Sequence, residues 1–190
     1  MRDIDIRVAL RKEVIAEFSC DSLIVDEFVV PGGNARIDMA VVNGALHGFE
    51  IKSDADTLRR LKGQSEAYGL IFDHVTLVLG GRHERAIAHV PDWWGIYEVC
   101  KHDAEVQIER MRESSQNPTL DPALVLRLLW RAEVEAMLRQ SGAEECLSPK
   151  LKAYEVDRLA LDLVPLSDIK AYVRETLKHR PTWRLDAIRT

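Results

Sequence analysis

Three charged residues in the stretch 35–53 are of types that could carry out chemistry together. Asp38 stands on one predicted strand, and Glu50 and Lys52 stand on the next. Side chains alternate between the two faces of a strand, so these three can share one face while the apolar residues between them share the other. Carboxylate oxygens suit Mg²⁺, and an ammonium group can stabilise an attacking hydroxide or the charge of a phosphorane. With a backbone carbonyl near Ile51 as a further ligand, the group predicts a magnesium-dependent phosphodiesterase site.

The turn between the two strands decides whether the carboxylates meet. Asn43-Gly44 is a strong hairpin signal, because both residues tolerate positive φ. A two-residue loop would put Asp38 and Glu50 on opposite faces, since a register shift of one residue turns every side chain over. We therefore expect a three-residue loop, residues 42–44, with Gly44 in the left-handed conformation of a G1 bulge. Asp38 then lies diagonal to Glu50, near enough to share a cation.

Asp38, followed on the next strand by Glu50-Ile51-Lys52, resembles the D…(D/E)xK signature of the PD-(D/E)XK nuclease superfamily. The proline that usually precedes the aspartate is absent, and Ile37 stands there instead. The segments ARIDMAVVNG, HGFEIKSDADTL and VPDWWGI look like those of a little-characterised bacterial branch, and the resemblance covers roughly residues 1 to 100. It implies a restriction-endonuclease-like fold and a DNA-cleaving enzyme that uses Mg²⁺, for which Mn²⁺ can substitute.

The resemblance also suggests a metal ligand on the first helix. In many enzymes of this superfamily a glutamate of that helix reaches the metal, and Glu13 is the candidate here. The alternative is that Glu13 and Glu17 are solvated charges on a neighbouring helix face. Both interpretations stay open.

Three further residues are candidates for contacts with DNA. Arg36 lies on the predicted catalytic face, where it would bind phosphate or pair with Glu50. Gln64 and Tyr68 stand four residues apart on the next predicted helix and so share one face. This pair resembles the extra motif of RecB-like nucleases, whose side chains help to position DNA or the lysine. Unremarkable surface and core residues would produce the same spacing.

The elements that must position these residues predict an α/β fold with a mixed sheet and a crossover helix. The expected order is a helix, three strands, a helix and a further strand, with another strand at GIYEVC. Two tryptophans, Trp93 and Trp94, precede that last strand. They would either stack on bases or plug the sheet edge, and we favour packing.

The rest of the chain is expected to be a polar linker, residues 101–118, and a helical C-terminal region, residues 119–190. The helices there should begin at Asp121-Pro122, near Lys150 and at Ser167. The first of them is expected to run through Gln140 and to end at Gly142.

Composition limits the partners. The net charge of −5 argues against coating DNA through bulk electrostatics, so DNA affinity should be modest unless a homodimer or a larger protein complex adds contacts. No apolar run approaches the roughly 20 residues that a membrane helix needs, and the charged N-terminus does not resemble a signal peptide, which makes the cytoplasm the expected compartment. Three widely spaced cysteines fit reduced thiols.

Two other interpretations of the charged group remain. A module of the same fold without catalytic activity could bind nucleic acid or protein in repair, mobile-element or phage-defence machinery. Alternatively, Arg36 and Lys52 could neutralise Asp38 and Glu50 in a purely structural ion-pair cluster. The presence of all three residues, Asp38, Glu50 and Lys52, favours the interpretation as an enzyme, because a site that has lost its activity has no physical reason to keep them.

Overall fold

The computed structural model describes residues 3–18, 20–32, 35–54, 56–81, 84–102 and 105–180. The chain divides into two compact units, Met1–Thr119 and Leu120–Thr190. Among its described residues, the first unit contains helices α1 and α2, strands β1 to β6 and two short 3₁₀ segments. They are α1 Asp3–Glu17, β1 Leu23–Val29, β2 Arg36–Val42, β3 Leu46–Lys52, the 3₁₀ turn Leu58–Arg60, α2 Leu61–Gly69, β4 His74–Gly80, the 3₁₀ turn Glu84–His89, β5 Gly95–His102 and β6 Glu105–Arg112.

The six strands form one mixed sheet in the order β1-β2-β3-β4-β5-β6. Neighbours β1, β2 and β3 are antiparallel, β3, β4 and β5 are parallel, and β6 returns antiparallel to β5. A parallel neighbour needs a crossover, and α2 lies in the connection from β3 to β4. The predicted α/β fold with a mixed sheet and flanking helices is confirmed.

Helix α1 covers one face of the sheet. Its buried stripe, Ile6, Leu10 and Val14, repeats every four residues and therefore stays on one side of the helix. The stripe packs on buried side chains from β2 to β5, which are Met39, Val41, Phe49, Ile51, Val78, Tyr97 and Val99. This core anchors the strands that carry Asp38 and Glu50.

The hairpin loop is displaced by one residue from its predicted position. Val42 pairs with Leu46, so the loop is residues 43–45. Gly44 is not in the left-handed region, because the loop closes through Asn43, whose side-chain oxygen accepts from the backbone N–H of Ala45 at 2.9 Å. The predicted G1 bulge and the diagonal register are wrong.

The segment 101–118 was predicted to be a linker, but it contains strand β6 and packs into the first unit. Val106 and Ile108 of β6 lie against the core while their neighbours are polar, as an edge strand requires. Beyond β6, the buried side chain of Asn117 donates to the carbonyl oxygens of Gly69 and Phe72 at 2.6 and 2.7 Å. The polar composition of residues 101–118 therefore reflects an edge strand and, after it, a segment that is hydrogen-bonded to the first unit.

The second unit is helical, as predicted. Its helices are α3 Pro122–Leu126, α4 Arg131–Gln140, α5 Ala153–Leu163 and α6 Leu166–His179, with a 3₁₀ turn at Glu144–Cys146. The helix predicted to run from Asp121 through Gln140 is broken into α3 and α4 before Trp130, whose backbone N–H is taken by the side chain of Glu133 at 2.7 Å. Gly142, at φ 82°, follows the end of α4. None of the described helices is long and apolar enough to cross a membrane.

We predict that Gly95→Ala lowers the free energy of unfolding by about 1–3 kcal/mol, the usual cost of overpacking. An added Cβ would meet the hydroxyl oxygen of Thr76 at 2.7 Å and the backbone nitrogen of Ser114 at 3.0 Å. Gly63→Ala is the matched control, because nothing lies within 4 Å of its added Cβ and helix α2 should gain about 0.5–1 kcal/mol. Urea unfolding of both variants measures the difference. Equal unfolding free energies would contradict the contact at Gly95.

Candidate active site

Asp38 and Glu50 lie where strands β2 and β3 separate. The paired register ends at Met39 and Phe49, so the two acids are the next residues on their strands and face each other across the opening. The Oδ2 atom of Asp38 accepts the backbone N–H of Ile51 at 2.7 Å. The Asp38 carboxylate is thus held between the strands, beside Glu50.

Glu50 is the centre of a hydrogen-bonded network. The Nζ atom of Lys52 donates to Glu50 Oε1 at 2.5 Å, and Gln64 Nε2 donates to the same oxygen at 2.7 Å. Gln64 Oε1 accepts from Lys52 Nζ at 3.1 Å. The hydroxyl of Tyr68 lies 2.9 Å from Glu50 Oε2 and 2.8 Å from the carbonyl oxygen of Arg36, and its single proton can go to only one of them at a time. The structure therefore brings Gln64 and Tyr68 to the predicted group.

Aromatic packing holds Tyr68 rigidly in this network. Its ring is fully buried, stacks on Trp94 at a centroid distance of 6.2 Å and meets the edge of Phe72 at 6.0 Å. Trp94 is itself 0% exposed, so the packing interpretation is confirmed for this tryptophan. The apolar contacts direct the hydroxyl of Tyr68 toward Glu50.

Burial disfavours the ionised form of both carboxylates. Burial raises the pKa of Glu50 to about 7, and the charge of Asp38 adds to this effect while Lys52 and Tyr68 oppose it. Burial also raises the pKa of Asp38, against the opposing hydrogen bond from Ile51 and the charge of Arg7. The pKa of Tyr68 is raised by burial and by the charge of Glu50, which keeps the phenol protonated and able to donate. When both acids ionise, a nearby cation would relieve the repulsion between them.

Arg7 of α1 also belongs to the site, although it was not among the residues predicted from the sequence. Its Nη1 donates to the backbone carbonyl of Asp38 and its Nη2 to Asp38 Oδ1, both at 2.9 Å. Its position in the sequence could have indicated this role. Arg7 directly follows the buried Ile6 and so lies at the side of the helix stripe that packs on the sheet. A cation at that flank can reach a strand end.

The side chains of Arg36 and Glu13 pair with residues other than Glu50. The Nε atom of Arg36 contacts Glu27 Oε2 at 2.6 Å, so the pairing considered with Glu50 is not formed. Glu13 accepts from Arg110 at 2.8 Å, together with Glu17. Arg110 belongs to β6, the edge strand that β3, β4 and β5 separate from β2. The assignment of Glu13 as a metal ligand is therefore corrected to an ion pair with β6.

The donor set suits a metal that keeps open positions. Within the described ranges there is no group of three or more His, Cys, Asp or Glu side chains arranged to hold a metal. Asp38 and Glu50 offer carboxylate oxygens, and Mg²⁺ commonly binds one or two carboxylates and completes its octahedron with waters and phosphate. The residues fit Mg²⁺ or Mn²⁺, whereas a closed zinc site would need four protein ligands. The backbone carbonyl of Ile51 stays a predicted ligand.

Comparisons with known proteins give one family and two distant structures. The family model described as "Bacteriophage P4 protein cII" matches residues 5–186. Protein cII of Enterobacteria phage P4 is 28% identical over 182 residues, which cover 95% of this chain and 68% of that protein.

Both structural matches are remote. A protein of unknown function from Silicibacter pomeroyi matches with a TM-score of 0.46 and 20% identity, over 77% of this chain and 94% of that one. SfsA of Pyrococcus furiosus, solved in complex with Ca²⁺, matches with a TM-score of 0.33 and 14% identity, over 59% of this chain and 60% of that one.

Proposed function

We propose that this chain, which belongs to the bacteriophage P4 protein cII family, is a metal-dependent nuclease that hydrolyses DNA phosphodiester bonds at Asp38, Glu50 and Lys52. The observation that carries the proposal is the buried carboxylate of Glu50, which holds Lys52 Nζ at 2.5 Å and faces Asp38 where two strands separate. The D…(D/E)xK resemblance of the same three residues supplies the reaction class.

The pKa of Glu50 argues against a purely structural ion pair. A buried salt bridge is useful to stability only when the attraction between its charges exceeds their desolvation. Here the pKa of Glu50 rises to about 7 despite its contact with Lys52, so burial and Asp38 outweigh the lysine. Asp38 and Glu50 each pair with one basic side chain, Arg7 and Lys52, and a divalent cation between the two carboxylates would further favour their ionised forms.

The residues divide the chemistry among themselves. When bound by Asp38 and Glu50, Mg²⁺ would polarise the phosphate and lower the pKa of a coordinated water. Lys52 can donate from Nζ to an oxygen that gains negative charge during attack. Gln64 keeps this ammonium in place at 3.1 Å, and Tyr68 orients Glu50 from the other side.

The test is cleavage of labelled linear, nicked, branched and single-stranded DNA, and of RNA, with Mg²⁺ or Mn²⁺. We expect the native protein to cut at least one DNA substrate only when metal is present, and Asp38→Asn to cut none. Lys12→Ala, at an exposed position on α1, is the surface control and should keep the native activity. Cutting by Asp38→Asn at the native rate would overturn the proposal.

A second candidate is a binding module without catalytic activity. One observation favours it: Lys52, Gln64 and Tyr68 already satisfy both oxygens of Glu50, which a metal would have to share. In the same panel, binding of DNA without cutting of any substrate under either metal would support the module and exclude the enzyme.

A further inference from the structure

Glu27 bridges two arginines beside the proposed active site. Its Oε1 contacts Arg7 Nη2 at 2.9 Å, and its Oε2 contacts Arg36 Nε at 2.6 Å. Two guanidinium groups around one two-oxygen anion form an arrangement suited to phosphate as well as to carboxylate. Because Arg7 also holds Asp38, the bridged anion lies next to a proposed metal ligand.

The backbone at Glu27 has an unfavourable conformation. Its φ of 57° is in the left-handed region, and among the described residues no other non-glycine residue has a positive φ. Such a conformation is unfavourable for a residue with a Cβ and tends to occur at functional sites. The residues on either side of Glu27 make other contacts: Asp26 pairs with Arg11 of α1, and Phe28 packs on Phe72.

The Arg36 side of the bridge is open to solvent. The side chain of Glu27 is 41% exposed and that of Arg36 is 62% exposed, so water can solvate both charges after they separate. The exposed pair with Arg36 contributes little to stability, whereas Arg7 is only 20% exposed and keeps its contact with Asp38 when Glu27 leaves. A competing anion could therefore replace the carboxylate.

We infer that Glu27 occupies, in the free protein, the position that a backbone phosphate of the DNA takes in the complex, with Arg7 and Arg36 as its ligands. A phosphodiester matches the carboxylate in carrying one negative charge and two accepting oxygens. The inference rests on the proposed function for the identity of the ligand, and it adds Arg7 and Glu27 to the residues that control DNA binding. Glu27 then acts as a built-in competitor of DNA.

The experiment compares two variants that remove the same charge from adjacent residues. Glu27→Gln keeps the side-chain length but weakens the bridge, and Asp26→Asn removes a charge whose partner, Arg11, lies outside the bridge. The readout is fluorescence anisotropy of a labelled DNA duplex without divalent metal, so that no metal-dependent cutting interferes. We expect Glu27→Gln to raise DNA affinity by about tenfold and Asp26→Asn by less than about twofold, because an arginine–phosphate contact is worth far more than a change in general charge.

The arginines provide the second arm. Arg36→Met should weaken binding by about fivefold and reduce the slope of log affinity against log salt by about 1. In the Arg36→Met background the gain from Glu27→Gln should be smaller than in the native background, because Arg7 alone then remains for the phosphate and the two substitutions affect one site. To test Arg7, we prefer the substitution Arg7→Lys. Arg7 also donates a hydrogen bond to the backbone carbonyl of Asp38, and a larger change would disturb the proposed active site as well.

Each outcome decides between the two proposals. Equal gains from Glu27→Gln and Asp26→Asn, a loss of affinity in Glu27→Gln, or no binding by either the native protein or Glu27→Gln would overturn the inference. Tighter binding by Glu27→Gln without DNA cleavage under any metal would uphold the phosphate site and reject the nuclease. Metal-dependent cleavage with no effect of Glu27→Gln on affinity would support the nuclease and reject the phosphate site.

Discussion

Replacing Lys52 by methionine is expected to reduce metal-dependent DNA cleavage by roughly 10²–10³-fold, the usual effect of removing a group that stabilises charge in the transition state. Lys52 is 5% exposed and its Nζ lies within hydrogen-bonding distance of Glu50 and Gln64, so the ammonium is pre-oriented in a site with little water. An interaction made mainly in the transition state lowers kcat and leaves KM nearly unchanged. Single-turnover and steady-state cleavage assays measure both quantities.

The matched control is Lys12→Met, which makes the same chemical change at an exposed position of α1. It should retain native kcat and KM. Thermal unfolding of both variants separates loss of catalysis from loss of structure. A Lys52→Met protein that is folded and cuts DNA at the native rate would remove Lys52 from the reaction.

Glu50 is expected to make the stability of the metal-free protein depend on pH. Its pKa is raised from 4.5 to about 7 in the folded protein, so the folded state prefers the protonated acid. The stability that protonation gives is fully present below the unfolded pKa of about 4.5 and is lost as pH rises through about 7. At about 1.4 kcal/mol per pKa unit, this loss is at most roughly 3 kcal/mol between pH 4.5 and pH 8.

Glu50→Gln isolates this effect because it removes the titrating group and keeps the shape of the side chain. We expect the difference in unfolding free energy between the native protein and Glu50→Gln to shift with pH in the direction just given, with the native protein relatively less stable at pH 8. Glu66→Gln, an exposed position on α2, should give a profile parallel to the native one. Urea unfolding at pH 5, 6, 7 and 8 without metal measures all three proteins. Parallel profiles for the native protein and Glu50→Gln would contradict the raised pKa.

Magnesium provides an independent check on the same carboxylates. A ligand that binds only the folded state stabilises it, and a cation needs the ionised acids. Mg²⁺ should therefore raise the melting temperature of the native protein more at pH 8 than at pH 6, and should leave that of an Asp38→Asn, Glu50→Gln double variant unchanged. An equal rise in both proteins would place the metal elsewhere.

The arrangement of the candidate site was largely accessible from local patterns. Period-two alternation brought Asp38, Glu50 and Lys52 toward one another, and the i, i+4 spacing of Gln64 and Tyr68 stacked them on one helix face. Both patterns depend on residues close in sequence, and local geometry constrains such residues strongly. The loop was predicted one residue too early, which misplaced the pairing register by two residues, because the side chain of Asn43 closes the loop and turn propensity alone does not reveal that hydrogen bond.

Contacts between distant segments were not accessible in the same way. Helix α1 offers Arg7 and Glu13 equally as charged residues near its buried stripe, and only its docking on the sheet sends Arg7 to Asp38 and Glu13 to Arg110. The polar composition of residues 101–118 likewise concealed an edge strand, because the outer edge of a sheet tolerates polar side chains.

The sequence by itself therefore determined the class of the fold, the strand pair with its carboxylates and lysine, and the helix that supplies Gln64 and Tyr68. Tertiary structure alone decided that burial raises the pKa of Glu50, that Arg7 holds Asp38, and that Glu27 joins Arg7 to Arg36. The physical reason is range: periodicity and turn chemistry act over a few residues, whereas desolvation and ion pairing depend on which surfaces meet. In this protein those surfaces are α1, the part of β1 around Glu27 and the opening between β2 and β3.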